Sequence, residues 1–148
     1  MRVIARKSKG KQRQTIRIRI PPYRHPRNDW RRAIHAELTR AALERQVKYH
    51  GTDRLELIVR LYMRTDKIDW HDVDNRLKDI MDALQGKAGG PKEKRTLKPI
   101  VPNDSQVYKV TIEKRTPPPQ SLGFGHLIIK KYKLSDKSRN IQNRYSLG

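Results

Sequence analysis

The chain reads as an α+β domain: a four-stranded mixed β-sheet with two main α-helices, in the order β-α-β-α-β-β. Three observations point there. Ile16, Ile18 and Ile20 alternate strictly with Arg17 and Arg19, the period of a half-buried strand. Leu55, Leu57, Val59, Leu61 and Met63 repeat that period over a longer run. After each run the apolar residues recur at helical spacing, and strands interleaved with helices build a sheet covered by helices.

Taken in order, residues 1–14 hold six basic residues and no acid, and read as a basic arm. The first strand stops at Pro21-Pro22. Asn28 or Asp29 is the expected cap of a helix running to about Tyr49, with Trp30, Ile34, Leu38 and Ala41 on one face and Gly51 ending it. The second strand covers 54–64. Trp70 to Leu84 reads as the second helix, with Val73, Leu77, Ile80, Met81 and Leu84 on one face and Gly86 closing the run. Residues 86–99 form a loop with five basic residues, one acid and three glycines. A strand at about 106–115, a Pro-Pro-Pro break and a last strand near 126–133 follow, the latter with Leu127, Ile128 and Ile129. The domain is expected to span 15–134, with 135–148 a fraying polar tail.

At 148 residues the chain has the length of one domain. Its 35 Lys and Arg against 15 Asp and Glu give a formal charge of +20, which favours a polyanionic partner, because each cation placed on a phosphate releases condensed counterions. No apolar run is long enough for a membrane span, and the basic N-terminus lacks the apolar region of a signal peptide. No basic amphipathic helix with a strong apolar face points to a membrane surface. The absence of cysteine excludes disulfides, thiolate metal sites and a cysteine nucleophile. The expected location is the cytoplasm, on DNA.

Against that charge, Asp66, Asp69, Asp72, Asp74, Asp79 and Asp82 fall within seventeen consecutive positions. One reading is a solvated ladder: Asp74, Lys78 and Asp82 lie at i, i+4 and i+8, and such pairs are worth a few tenths of a kcal/mol each. The ladder leaves out Asp72 and the acids upstream. Carboxylates at 72 and 74 diverge inside a regular helix but can converge where a loop turns into one. Two converging carboxylates repel unless a cation sits between them, and Mg²⁺ prefers one or two carboxylates with phosphate and water. The third oxygen donor is expected at Asp104, the only acid between Glu93 and Glu113; a lone loop aspartate also serves as a turn residue. Lys78, one turn after Asp74, would place a cation at the same mouth. Lys87, Lys92, Lys94, Arg95 and Lys98 of the basic loop would hold DNA phosphates, with His71 a further phosphate contact. Trp70 is either core or a surface on which an exposed base stacks. Gly86-Lys87-Ala88-Gly89-Gly90-Pro91-Lys92 lacks the phosphate-loop register, so no nucleotide cofactor is expected.

These residues resemble those of the RusA-type Holliday junction resolvases, small metal-dependent endonucleases. The family pattern is D-x-D-N-x-x-K-x-x-x-D-A-L, a variable loop, then D-D-x-Q-V ahead of a strand. Here Asp72-Val73-Asp74-Asn75, Lys78, Asp82-Ala83-Leu84 and Asp104-Ser105-Gln106-Val107 stand in that order, and Ile16 to Pro22 is similar to the family's first strand. The resemblance covers roughly residues 15–133. It implies a homodimer that binds four-way DNA junctions and nicks two strands symmetrically in recombination and repair, with Mg²⁺ or, as a substitute, Mn²⁺. It makes Asp72, Asp74 and Asp104 the metal-binding and catalytic acids and Lys78 the catalytic lysine. Asn103 stands where the family has the first acid of its D-D pair, leaving one fewer negative charge near the metal. His71 stands where a basic residue often precedes the D-x-D.

Two other readings compete. A non-catalytic basic nucleic-acid-binding protein accounts for the charge but leaves the acid set unexplained. A nuclease of the P-D…(D/E)-x-K type finds only Asp104 with Glu113-Lys114-Arg115, where arginine occupies the lysine position.

Overall fold

The structure, a computed structural model, describes residues 14–63, 69, 71–89, 97–120 and 125–134. The arm, the tail and the middle of the basic loop, including Lys92, Lys94 and Arg95, lie outside the described residues, as do Asp66 and Trp70. Four strands and two helices follow the expected order: β1 (Ile16–Ile20), α1 (Arg27–Arg45), β2 (Leu55–Tyr62), α2 (Val73–Leu84), β3 (Val107–Arg115) and β4 (Gly125–Lys131). The sheet order is β1-β4-β2-β3, with β4 antiparallel to both β1 and β2 and β3 parallel to β2. A parallel neighbour requires a crossover, and α2 supplies it between β2 and β3.

Alternation decides which side of the sheet is covered. Ile16, Ile18 and Ile20, Leu55 through Leu61 at every second position, and Leu127 and Ile129 are buried on one face. Trp30, Ile34 and Leu38 of α1 and Ile80, Ala83 and Leu84 of α2 pack on it. Trp30 is fully buried, and its indole Nε1 donates to the Pro21 carbonyl at 2.9 Å, so its one polar atom is satisfied. The opposite face carries Arg17, Arg19, Ile58, Arg60 and Ile128 outward.

The first helix is shorter than the expected run to Tyr49, and neither Asn28 nor Asp29 caps it. It starts after Pro26 and ends at Arg45, where Gln46 turns left-handed at φ 57° and sends its N–H back to the Ala42 and Leu43 carbonyls. The reason is burial: leaving the helix there lets Val47 and Tyr49 enter the core. The Tyr49 hydroxyl donates to the Gln14 carbonyl at 2.6 Å, and burial pushes its pKa above the usual phenol range, with the charge on Asp53 adding to the shift.

Gly86 closes α2 as expected. Its φ is +77°, and a Cβ there would stand 2.2 Å from the Leu97 carbonyl oxygen. Gly86→Ala is therefore expected to lose about 1–3 kcal/mol, read as a lower urea midpoint at unchanged slope. No helix among the described residues is long and apolar enough to cross a membrane.

Candidate active site

Asp72 is the residue on which α2 starts, extended at φ −82° and ψ 140°, but its side chain makes no capping hydrogen bond. Asn75 joins it to Asp74 instead. The Asn75 amide donates to Asp72 Oδ2 at 3.3 Å, and the Asn75 backbone N–H donates to Asp74 Oδ1 at 3.1 Å. Both carboxylates are exposed at the positive end of the helix dipole, a favourable place for negative charge. Lys78 is exposed one turn further on and makes no ion pair among the described residues. The alternative reading, a ladder through Asp74, Lys78 and Asp82, does not form. Asp82 faces α1 and pairs with Arg31 at 3.1 Å.

What holds this helix start is a set of charges that helical spacing did not reveal. Asp79 is fully buried between the helices. Arg27 and Arg31 of α1 both reach its Oδ1 at 2.9 Å, and Arg76 Nε lies 3.2 Å from Oδ2, an ion pair short of hydrogen-bond geometry. Arg76, itself buried, donates through Nη1 to His71 Nδ1 at 2.8 Å and lies 4.3 Å above the Tyr23 ring. An arginine can only donate, so His71 accepts at Nδ1. His71 also packs edge-on against Tyr23, 4.8 Å between centroids, and its carbonyl accepts from Lys114 Nζ at 2.7 Å. The residue before Asp72 is thus fixed from both helix and sheet. A signal for this cluster was present: Arg27 and Arg31 at i, i+4, and Arg76 and Asp79 at i, i+3, are matched charges on two helix faces.

Asp104 opens a single 3₁₀ turn, Asp104–Gln106, ahead of β3. Asn103 earns its place by capping: its Oδ1 accepts from the Ser105 N–H at 3.0 Å while its own N–H donates to Gln106 Oε1 at 2.9 Å. Buried Gln106 then donates to the His50 carbonyl at 2.6 Å and the Asp53 carbonyl at 2.9 Å. The glutamine of the motif is a structural anchor for the aspartate two positions before it. Asp53 closes the same turn by accepting from the His50 N–H at 2.9 Å. That bond, aided by Lys131, holds the Asp53 carboxyl below its ordinary pKa. Stability from a depressed carboxylate is present above its unfolded pKa, near 3.9, and lost as pH falls through the lower folded value. Asp53→Asn is expected to flatten the acid limb of the stability curve, measured by urea midpoints between pH 2 and 6.

One chain does not bring Asp104 to Asp72 and Asp74. The Lys114 contact with His71 sets the start of α2 at the C-terminal end of β3, whereas Asp104 precedes its N-terminal end. The twelve residues of α2 and the nine of β3 run between those ends. At about 1.5 Å per helical residue and about 3.3 Å per strand residue, the separation is on the order of 20 Å. Accordingly, no three His, Asp or Glu side chains among the described residues are grouped to hold a metal ion. The basic loop leaves α2 on the Asp104 side: Leu97 N–H donates to the Gly86 carbonyl at 3.2 Å, so the exposed Lys87 and Lys98 flank one hydrogen bond. His35 Nε2 donates to the Lys98 carbonyl at 2.6 Å and ties that end to α1.

Ion pairing sorts the acids into two groups. Asp29, Glu37, Glu44, Asp53, Glu56, Asp79, Asp82 and Glu113 each pair with a Lys or Arg. Among the described residues the acids outside every such pair are Asp69, Asp72, Asp74 and Asp104. Compared with family models and with curated proteins, the chain matches none.

Proposed function

We propose that this protein is a divalent-metal-dependent endodeoxyribonuclease that acts as a homodimer and resolves four-way DNA junctions by paired nicks in recombination and repair. The observation that carries the reading is the sorting of the acids. Among the described residues of a chain with 20 excess positive charges, Asp72, Asp74 and Asp104 of the motif, with Asp69 beside it, are the acids outside every ion pair, while the motif's Asp82 is taken by Arg31. Uncompensated, exposed carboxylates are the donor chemistry that hard divalent cations take.

Asp72 and Asp74 would hold Mg²⁺ or Mn²⁺ as a pair, with Asp104 of a second chain as the third donor. A cation held by these residues would supply Lewis-acid polarisation of a phosphodiester and a more acidic water. Asn75 keeps the two carboxylates together, and Arg76 and Lys114 hold His71 so that the helix start does not swing. Lys78, which pairs with no described acid, would stabilise negative charge building on the phosphate oxygens. A site shared between chains would require a dimer. A C2 pair would form two equivalent sites, and a four-way junction has an approximate two-fold axis of its own.

Lys87 and Lys98 would hold phosphates without reading sequence. Replacing both with Gln should make the salt dependence of junction binding shallower by about 2 units, and an unchanged slope would place the DNA elsewhere. The test of the function is cleavage of a labelled four-way junction and a matched linear duplex, with Mg²⁺ or EDTA. Paired, metal-dependent nicks in the junction are expected. Binding with no cleavage in any divalent metal would favour the non-catalytic binder.

A further inference from the structure

We infer that the open face of the sheet is a separate binding surface for an unpaired nucleic-acid strand. Strand alternation points Arg17, Arg19, Arg60, Lys109, Arg115 and Lys130 away from the helices, and the acids that the described strands point the same way are Glu56 and Glu113. Both acids are already engaged: Glu56 with Lys109 at 3.8 Å, and Glu113 with Arg60 at 3.1 Å and Arg115 at 3.4 Å. The face therefore keeps an excess of cations in which the carboxylates serve to space the side chains.

Aromatic rings stand at both ends of that basic field. At one end Tyr108, 55% exposed, lies 5.5 Å from Tyr132 at a tilt of 38°, with Arg54 5.3 Å above its ring. At the other, Tyr62 meets His126 edge-on at 5.5 Å. Between them Ile58 pairs with Ile128 in the floor of a depression of about 350 Å³, whose rim includes Arg17, Arg60 and Thr111. From Arg54 to Tyr62 the strand covers about 26 Å, room for about four or more nucleotides.

Three features select the occupant. Cations spaced along a flat face suit a phosphate backbone. Exposed rings can stack only on bases that are not already stacked in a duplex, and such stacking is worth about 1–3 kcal/mol per base. A second copy is disfavoured, because each face carries six cations against two acids, so two in contact would set like net charge against like. This inference shares the nucleic-acid partner of the proposed function but none of its metal chemistry. An unpaired strand held here would lie across the side of the sheet that the helices leave uncovered.

The experiment is fluorescence anisotropy of a labelled oligothymidine in EDTA, at several salt concentrations. Wild type is expected to bind. R17Q/R19Q/K130Q should make the salt slope shallower by about 2 units. Tyr108→Leu should weaken binding about 5-fold or more while leaving the slope unchanged. Unfolding midpoints verify that each variant folds. If wild type does not bind, or if neither face variant changes binding, the inference fails whatever the junction assay shows. A face variant that changes the mass in light scattering would make the surface a contact between copies and would equally overturn it. Oligothymidine binding by a protein that never cuts would sustain this inference and remove the nuclease.

Discussion

Asp79→Asn is expected to cost about 3–5 kcal/mol, because it leaves buried Arg76 without its carboxylate while two more arginines still point at the site. Arg27 contributes least of the three, its side chain being 44% exposed, whereas Arg31 and Arg76 are 14% and 9% exposed. A pair removed together behaves differently from a pair broken. Asp79→Leu with Arg76→Met, which takes out both charges and keeps apolar volume, should recover most of the loss. Urea unfolding measures both. A cost below about 1 kcal/mol for D79N would mean that solvent reaches the cluster and that it does not lock α1 to α2.

The second large effect is on cleavage. Asp72→Asn, Asp74→Asn and Asp104→Asn should each lower junction cutting by two orders of magnitude or more, about 2.7 kcal/mol at the transition state. Junction binding should persist or tighten, since each change removes negative charge facing DNA. Single-turnover cleavage beside binding in EDTA separates the two effects. Near wild-type cutting by D74N and D104N would dissolve the site.

The contrast between these predictions marks what the residue pattern could and could not reveal. Strict alternation at 16–20 and 55–63 places the first two strands and the covered face correctly, because a buried sheet face tolerates no slip in register. The second helix is legible from its apolar spacing, and Ile80 and Leu84 are buried as expected, but the buried face is completed by Arg76, Asp79 and Ala83, with Val73, Leu77 and Met81 only half-buried. Arg76 and Asp79 belong to that face, and a reading that sends charges outward cannot seat them there. Their burial depends on Arg27 and Arg31, about fifty residues earlier, a pairing that no local window contains. Likewise the end of the first helix was set by the core's demand for Val47 and Tyr49, which overrode the stop signal at Gly51.

The site shows the same division. Asp72, Asp74 and Lys78 were legible as a group because one helix start carries them, and Asp104 was legible as a motif residue. Their separation was not, because it follows from the parallel pairing of β2 with β3 and the crossover of α2 between them. In the motif Asn103 reads as one fewer negative charge and Gln106 only as a match; in the fold they build and anchor the turn that presents Asp104.

That separation makes mixing of inactive variants the most direct measurement. D74N and D104N are purified, mixed under conditions that exchange subunits, and assayed on a labelled four-way junction with Mg²⁺. In a mixed dimer, one site joins the D104N chain's intact Asp72 and Asp74 with the D74N chain's intact Asp104, while the other site carries both lesions. The expected result is two inactive proteins that regain cutting on mixing, with one strand nicked and the opposite strand left whole. Mixed dimers that form, bind the junction and still cut neither strand would contradict a site shared between chains.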